Sequence, residues 1–398
     1  MLNDYLLWHL LYKVLPHRLI DLIFTVYTAI QLYILGAIYV VKEINRKFSS
    51  SVRKLGPNEP DIPNDCTNLV AIVTGGSRGI GLSVAKDLYD RGATVIVTSS
   101  SNSEEERDKL AQLIRTNVDE EEDEQCRRRR RMIRSSHSQH HRQHNGTVHV
   151  WEIDFRRLSS VCDFVSRFNR HYDSLDLLIN NAGVMFVNKS YTIDGFESHY
   201  QINYLSHALL TWLLMPALDR SKTNSNSGNG GGGGARVVNV SSSTHYPRCL
   251  FIDDLQSLET PYSPFHAYAQ SKLCQVMLTY YISDWLNGVA NDHDRTRKRF
   301  RVLVNTLHPG VAKTGLYQHV WWTAEEGAET VIYVGLSNEV NTGGYYYEDC
   351  SPLRSSSFSL DKSIQKRLAE LTRHQLSGVI DEYNRHNPQH KVTQMFEC

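Results

Sequence analysis

Residues 69–88 constrain this chain more than any other stretch. Residues 69–73 (Leu-Val-Ala-Ile-Val) form a continuous apolar run bounded by turn residues, the pattern of a strand buried on both faces of a parallel sheet. The run leads straight into Thr74, Gly75, Gly76, Ser77, Arg78, Gly79, Ile80 and Gly81, after which Leu82, Val84, Ala85 and Leu88 open a helix. Glycines permit a tight turn and let backbone N–H groups approach a pyrophosphate at the positive end of that helix. A glycine-rich turn is weak by itself, but strand, glycines and helix in this order predict a dinucleotide site in a doubly wound α/β domain.

The second apolar strand, residues 93–97, ends in Thr98, Ser99, Ser100, Ser101 and Asn102. None of these is an acid able to bind a ribose 2′-hydroxyl, whereas Arg78 in the glycine turn suits a 2′-phosphate. NADP(H) is therefore favoured, with NAD(H) still admissible. Further strands are expected at 148–151, 175–179, 236–240 and 301–304. Asp154, after the third, is placed either to meet an adenine edge or to cap the helix that follows.

Composition narrows the rest. The chain has 398 residues, 41% of them hydrophobic, and a formal net charge of zero, so nothing draws it as a whole to nucleic acid. Seven cysteines without CxxC spacing indicate neither a zinc site nor a disulfide framework, and no metal is expected. Residues 119–146 are acidic, then arginine-rich (127–131), then rich in His and Ser. Metal capture by His137, His140, His141 and His144, or anionic-lipid contact by the arginines, are the functional readings, but a solvated disordered insertion is preferred because nothing apolar punctuates the tract. Two more insertions, 221–234 and 288–300, also follow a helix and precede a strand. In a doubly wound sheet those turns lie opposite the ligand face, so all three should spare the site.

At the N-terminus, residues 22–41 carry no charge, a run of 20 that is long enough for a bilayer core of about 30 Å. A retained membrane helix over 19–41 is predicted within an anchor at 1–48, and the absence of a small-x-small cleavage site argues against a signal peptide. The basic residues Lys42, Arg46, Lys47, Arg53 and Lys54 outnumber Lys13 and Arg18 on the other flank, which places the following body in the cytosol. A glycan at the Asn145 or Asn188 sequon would reverse that topology. Residues 49–66 read as a linker with breakers, 67–350 as the α/β domain and 351–398 as a C-terminal helical extension.

Residues 265–282 form a predicted helix with one buried stripe (Leu273, Val276, Met277, Tyr280 and Tyr281). Tyr268 and Lys272 lie four apart on one of its faces. A neighbouring ammonium favours the phenolate, which suits a tyrosine to exchange a proton with a carbonyl or alcohol oxygen. Taken alone the pair is more often a chance spacing. Upstream stand Asn180, Asn181, Ala182, Gly183 and Val184 at the end of the fourth strand, Asn203 on a following helix, and Ser241, Ser242 and Ser243 at the end of the fifth.

With the glycine turn, Asn180 to Gly183, Asn203, Ser242, Tyr268, Lys272, Pro309 and Gly310 in that order, residues 67–350 resemble the short-chain dehydrogenases/reductases. Residues 244–246 (Thr-His-Tyr), 253–257 (Asp-Asp-Leu-Gln-Ser) and 267–272 (Ala-Tyr-Ala-Gln-Ser-Lys) resemble the retinol-dehydrogenase-like branch. The resemblance implies a single Rossmann domain in which Tyr268 is the general acid/base and Lys272 lowers its pKa and holds the nicotinamide ribose. Ser242 would bind the substrate oxygen, and Asn203 would place a water beside Lys272. It further implies cofactor contacts from Thr74, Gly75, Ser77, Arg78, Gly79, Ile80, Gly81, Ser99, Asp154, Asn181, Ala182, Gly183, Pro309, Gly310 and Thr314.

The expected activity is hydride transfer between NADP(H) and a lipophilic alcohol or carbonyl, with polyprenol- or dolichal-type isoprenoids ahead of retinoids and steroids. The setting would be the endoplasmic reticulum or a lipid droplet. A homo-oligomer is compatible with the chain, and the rival expectation is an inactive cofactor-binding scaffold at the same membrane. Two features depart from the branch. Residues 320–322 (Val-Trp-Trp) pass almost at once to Glu325, omitting much of the helical segment that roofs the substrate pocket in relatives. His308 stands before Pro309, where packing is the preferred role.

Overall fold

The computed structural model describes residues 2–53, 61–101, 103–116, 146–221, 234–247, 250–288, 301–310 and 323–392. Most of the three insertions, residues 320–322, Thr314 and the Asn145 sequon lie outside these.

Eight strands form one sheet in the order β3-β2-β1-β4-β5-β6-β7-β8. They are β1 (Val70–Val73), β2 (Thr94–Ser99), β3 (Thr147–Glu152), β4 (Leu177–Asn180), β5 (Ala235–Val240), β6 (Val302–His308), β7 (Tyr346–Glu348) and β8 (Ser351–Leu353). All pairings are parallel except β7 with β8. The chain reverses direction of travel across the sheet between β1 and β4, and a crevice opens at such a point beyond the strands' C-terminal ends. As in any parallel sheet covered on both sides, the central strands are mostly apolar, and β4 and β5 are buried at every position, with Asn180, Arg236 and Asn239 as their polar members.

The chain's helices are α1 (Leu2–Val14), α2 (His17–Arg53), α3 (Gly79–Asp90), α4 (Glu104–Thr116), α5 (Leu158–His171), α6 (Ser206–Asp219), α7 (Pro264–Leu286), α8 (Ala324–Leu336) and α9 (Lys362–His386). One sheet face packs α3, α4 and α8 around Val84, Leu88, Ile114 and Val331. The other packs α5, α6 and α7 around Phe168, Leu209, Met215 and Met277, with α9 outside them contributing Leu368 and Leu376. The elements flanking the insertions are a helix and the strand after it (α4 and β3, α6 and β5, α7 and β6), so the described residues on either side meet at the strands' N-terminal ends, opposite the crevice.

The sheet extends past the expected strands into β7 and β8, the latter inside the 351–398 stretch read as a helical extension. Two helices also differ from the sequence reading. The catalytic-helix candidate, expected to bury one stripe, is buried almost all round, because the sheet lies on one side, α9 on another and α2 across its start. Polar side chains are drawn inside as a result: Gln270, Ser271, Lys272, Gln275 and Thr279 are all buried, each bonded to a neighbour. The other is the N-terminal helix. Its His17–Tyr39 portion is long and apolar enough to cross a membrane, with little of it buried. That buried part, Ile20, Phe24 and Thr28, falls every fourth residue on one face and is seated on the domain. Phe24 stacks on Phe251 and meets His266, Thr28 Oγ1 lies 2.6 Å from Ser263 Oγ, and the Asp21 carboxylate accepts from the Tyr262 N–H at 2.9 Å.

Candidate active site

The crevice is a cleft of about 520 Å³ at the C-terminal ends of β1, β2, β4 and β5. Its floor is the turn between β1 and α3. Gly75 and Gly79 have φ of +62° and +57°, a region that favours glycine. At Gly81 any side chain is excluded, since a Cβ would stand 2.5 Å from both the Gly75 carbonyl oxygen and Asn181 Nδ2. Arg78 is the N-cap of α3, so the first N–H groups of that helix face the cleft with Ser77, Arg78, Gly79 and Ile80 lining it. Thr98 fixes the turn by accepting from the Gly75 N–H at 3.1 Å, and Ser99 and Ser100 line the same cleft as Arg78.

Asp154 lines the same cleft but caps no helix: the N-cap of α5 is Arg157, and Asp194 accepts from the Leu158 N–H. Although partial burial works against its charge, three hydrogen bonds from Arg156 hold the Asp154 carboxyl below the usual range. Its carboxylate is thus turned to Arg156, and its place at the rim is what remains of the adenine expectation.

Beyond β4, Asn181, Ala182 and Gly183 line the cleft, with Asn181 Nδ2 donating to the carbonyls of Thr74 and Gly75. Thr74 is the hub beneath them. Its hydroxyl oxygen accepts from the Asn181 and Ala182 N–H groups, so its own proton goes to His207 Nε2 at 3.0 Å. His207 must then carry its proton on Nδ1, which donates to the Asn203 carbonyl at 3.0 Å. Burial pushes this imidazole down to about 3, so it is neutral throughout the working range. The sequence reading passed over His207; its spacing of four from Asn203 on one helix was the available signal.

Asn203 sits in a π-helical turn, Tyr200–Leu205, that opens α6, and it is fully buried. Such turns recur at functional sites because the extra residue re-aims a side chain. Its amide accepts from the Val184 N–H at 2.8 Å and donates to the Val184 carbonyl and to Ser271 Oγ. A Cβ on Gly183 would stand 3.0 Å from Asn203 Oδ1 and 3.7 Å from Lys272 Nζ, so these three groups meet at one point of the floor.

Tyr268 and Lys272 project from the first turns of α7, which is started by Ser263 accepting from the His266 N–H and by Pro264. Lys272 Nζ donates to the Val240 carbonyl at 2.9 Å and to Gln275 Oε1 at 3.0 Å, and lies 5.9 Å from the centre of the Tyr268 ring. Complete burial pushes its pKa down to about 7. The serine triplet is resolved by its hydrogen bonds. Ser241 Oγ is spent on the Lys272 carbonyl, whereas Ser242 Oγ accepts from the Thr244 N–H at 3.3 Å and retains a proton to give. Pro309 lines the cleft at the end of β6, and Gly310 follows with φ +81°. Thr314 lies outside the described residues.

A second group escaped the sequence reading. Phe186 has φ +55°, strained for a residue with a bulky side chain, and its ring packs edge-on to Tyr268 at 5.2 Å and against Phe265 at 4.7 Å. The next residue is held by a buried pair: the Val187 N–H donates to His199 Nε2, and His199 Nδ1 donates to Glu197 at 2.8 Å. Burial opposes the Glu197 charge, but the bonds from His199 hold its carboxyl below the usual range. No local pattern announces this group, because Phe186 and His199 are joined only by the fold.

A glycine-cradled cleft at the strand reversal, with a Tyr and a Lys one turn apart on a buried helix beside it, is the site of a short-chain dehydrogenase, and the chain belongs to that family. The family model for the short chain dehydrogenase matches residues 69–128 and 125–251. Human polyprenol dehydrogenase is 33% identical over 370 residues, covering 89% of this chain and 96% of that protein. Human retinol dehydrogenase 12 is 32% identical over 295 residues, 71% of this chain and 78% of that protein. Among solved structures, an uncharacterised protein from Mycobacterium Paratuberculosis matches with a TM-score of 0.59 and 26% identity, over 80% of this chain and 96% of that one. The Pseudomonas aeruginosa RhlG/NADP active-site complex shares the fold, with a TM-score of 0.51 and 20% identity over 76% of this chain and 100% of that one. The protein is accordingly a retinol-dehydrogenase-like oxidoreductase that acts on CH–OH groups of a small molecule with a nicotinamide cofactor.

Proposed function

We propose that this protein interconverts a lipophilic alcohol and its aldehyde or ketone at a membrane, using NADP(H), with polyprenol- or dolichal-type isoprenoids as the leading substrates. The observation that carries the reading is the meeting of Asn203, Gly183, Lys272 and the Tyr268 ring at the floor of the glycine-cradled cleft. The α3 N-terminus, Asn181, Ala182 and Gly183 would hold the cofactor, and when bound it supplies or accepts the hydride.

Tyr268 exchanges a proton with the substrate oxygen, and Ser242 donates a hydrogen bond to the same oxygen. Lys272, charged by partial protonation near neutrality, favours the phenolate and restores the proton. The Asn203 carbonyl accepts from His207 and keeps a second lone pair for a water beside Lys272, while its amide pins Val184 under the site. Arg78 in the cleft with Ser99 and Ser100, and the lack of an acid in the Thr98–Ser101 stretch that ends β2, support a 2′-phosphate and so NADP(H). Asp154 at the rim would face the adenine end, and Pro309 and Gly310 the nicotinamide end.

A lipophilic substrate is supported by the apolar α2 and by relatives whose names are those of polyprenol and retinol dehydrogenases. The basic residues after the apolar run support a catalytic body in the cytosol, at the endoplasmic reticulum or a lipid droplet; attachment of a glycan to the exposed Asn188 would contradict that topology. The test of the function is turnover of polyprenol, retinol and a small water-soluble alcohol by the full chain with NADP or NAD. Activity confined to the water-soluble alcohol overturns the proposal. In Tyr268→Phe, nucleotide binding should persist while turnover falls by about 10²–10⁴; a cellular role untouched by that change would mark a scaffold instead.

A further inference from the structure

The N-terminal helix does more than tether. Ile20, Phe24 and Thr28 seat its first half on the start of α7, the helix whose first turns carry Tyr268 and Lys272. Tyr39 is three helical turns beyond Thr28 and thus on nearly the same face, about 16 Å further along. There its hydroxyl donates to Glu348 at 2.8 Å on the side of Ser243, while its ring meets His308 edge-on at 5.4 Å. Ser243 follows Ser242, and His308 precedes Pro309 of the cofactor cleft. The helix therefore runs from the start of α7 to the C-terminal ends of β6 and β7, along one side of the site mouth.

We propose that α2 is a fixed wall of the substrate site and that Tyr39 is a specificity-determining residue that favours long apolar alcohols. This rests on the lipophilic-alcohol reading. The outer face of α2 is apolar and exposed at Ile23, Ile30, Ile34 and Ile38. A chain leaving the site past Tyr39 meets that apolar surface at once, whereas a short alcohol ends before reaching it. Tyr39 turns its hydroxyl away from that route, spending it on the Glu348 carboxylate.

The experiment uses the full chain in detergent micelles or bilayer discs and has two arms. In the first, Thr28→Cys is combined with Ser263→Cys, and the linked peptides are identified by mass spectrometry after mild oxidation. The expected result is a cross-linked protein with turnover within about twofold of its reduced form. No cross-link, or a cross-link that abolishes turnover until reduced, overturns the fixed wall. In the second, Tyr39→Ala is compared with the parent on a long polyprenol and on a five-carbon allylic alcohol with the same head group. kcat/KM for the long alcohol should fall about tenfold or more through KM, and that for the short one less than twofold. Equal losses on both overturn the role of Tyr39. If the parent turns over no lipophilic alcohol, the functional reading fails and so does the role of Tyr39, while the cross-linking arm, which needs only nucleotide-bound, folded protein and any alcohol it accepts, still decides the position of α2.

Discussion

Replacing Lys272 with methionine should change stability with pH in a way no other single substitution here would. The lysine is completely buried, its Nζ bonded to the Val240 carbonyl and to Gln275, and burial lowers its pKa from 10.5 to about 7. Between those two values the unfolded chain holds the proton and the folded chain does not, so wild-type stability rises with pH through that window. Below about pH 7 the folded protein carries the full cost of a buried ammonium. One pKa unit corresponds to about 1.4 kcal/mol, so the difference in unfolding free energy, wild type minus Lys272→Met, should grow by about 3 kcal/mol from pH 6 to pH 9. Methionine matches the lysine stem in length and lacks the charge, leaving two acceptors unfilled at a cost that does not vary with pH. Urea unfolding of both proteins at half-unit pH steps reads the difference directly, because every other titrating group is common to both. A difference constant to within about 1 kcal/mol over that range refutes the argument that burial, rather than a counter-charge, governs this lysine.

Three further outcomes are expected. Gly81→Ala forces a methyl against the Gly75 carbonyl and Asn181 and should weaken nucleotide binding by more than about tenfold, with a stability loss of about 2 kcal/mol, read by fluorescence titration and thermal unfolding. Arg78→Ala should raise the Kd for NADPH by about 10- to 100-fold and leave that for NADH nearly unchanged, and equal changes would refute the 2′-phosphate assignment. His207→Ala should flatten the acid side of the stability profile: the unfolded imidazole gains its proton near pH 6.5 and the folded one only near 3, so wild-type stability falls as pH drops through that window and this contribution disappears in the variant.

The sequence by itself determined the sheet and the nucleotide end of the site. The first strand suits a parallel sheet with both faces covered, and Gly75, Gly79 and Gly81 follow it as a close backbone turn, so that turn and the next five strands were legible from local pattern, whereas the short antiparallel pair β7 and β8 was not. The same holds for Tyr268 and Lys272, whose helical spacing fixes them on one face. What the tertiary structure decided was which polar groups are consumed. That Ser241 is spent on the Lys272 carbonyl and Ser242 is not, that Thr74 drives the tautomer of His207, and that Glu197 and His199 hold the backbone beside a strained Phe186 all depend on contacts between segments far apart in the chain. The apolar run at the N-terminus was readable as membrane-length. That one of its faces is seated on the domain was not, because hydropathy records only that a side chain avoids water, and lipid and protein satisfy that equally.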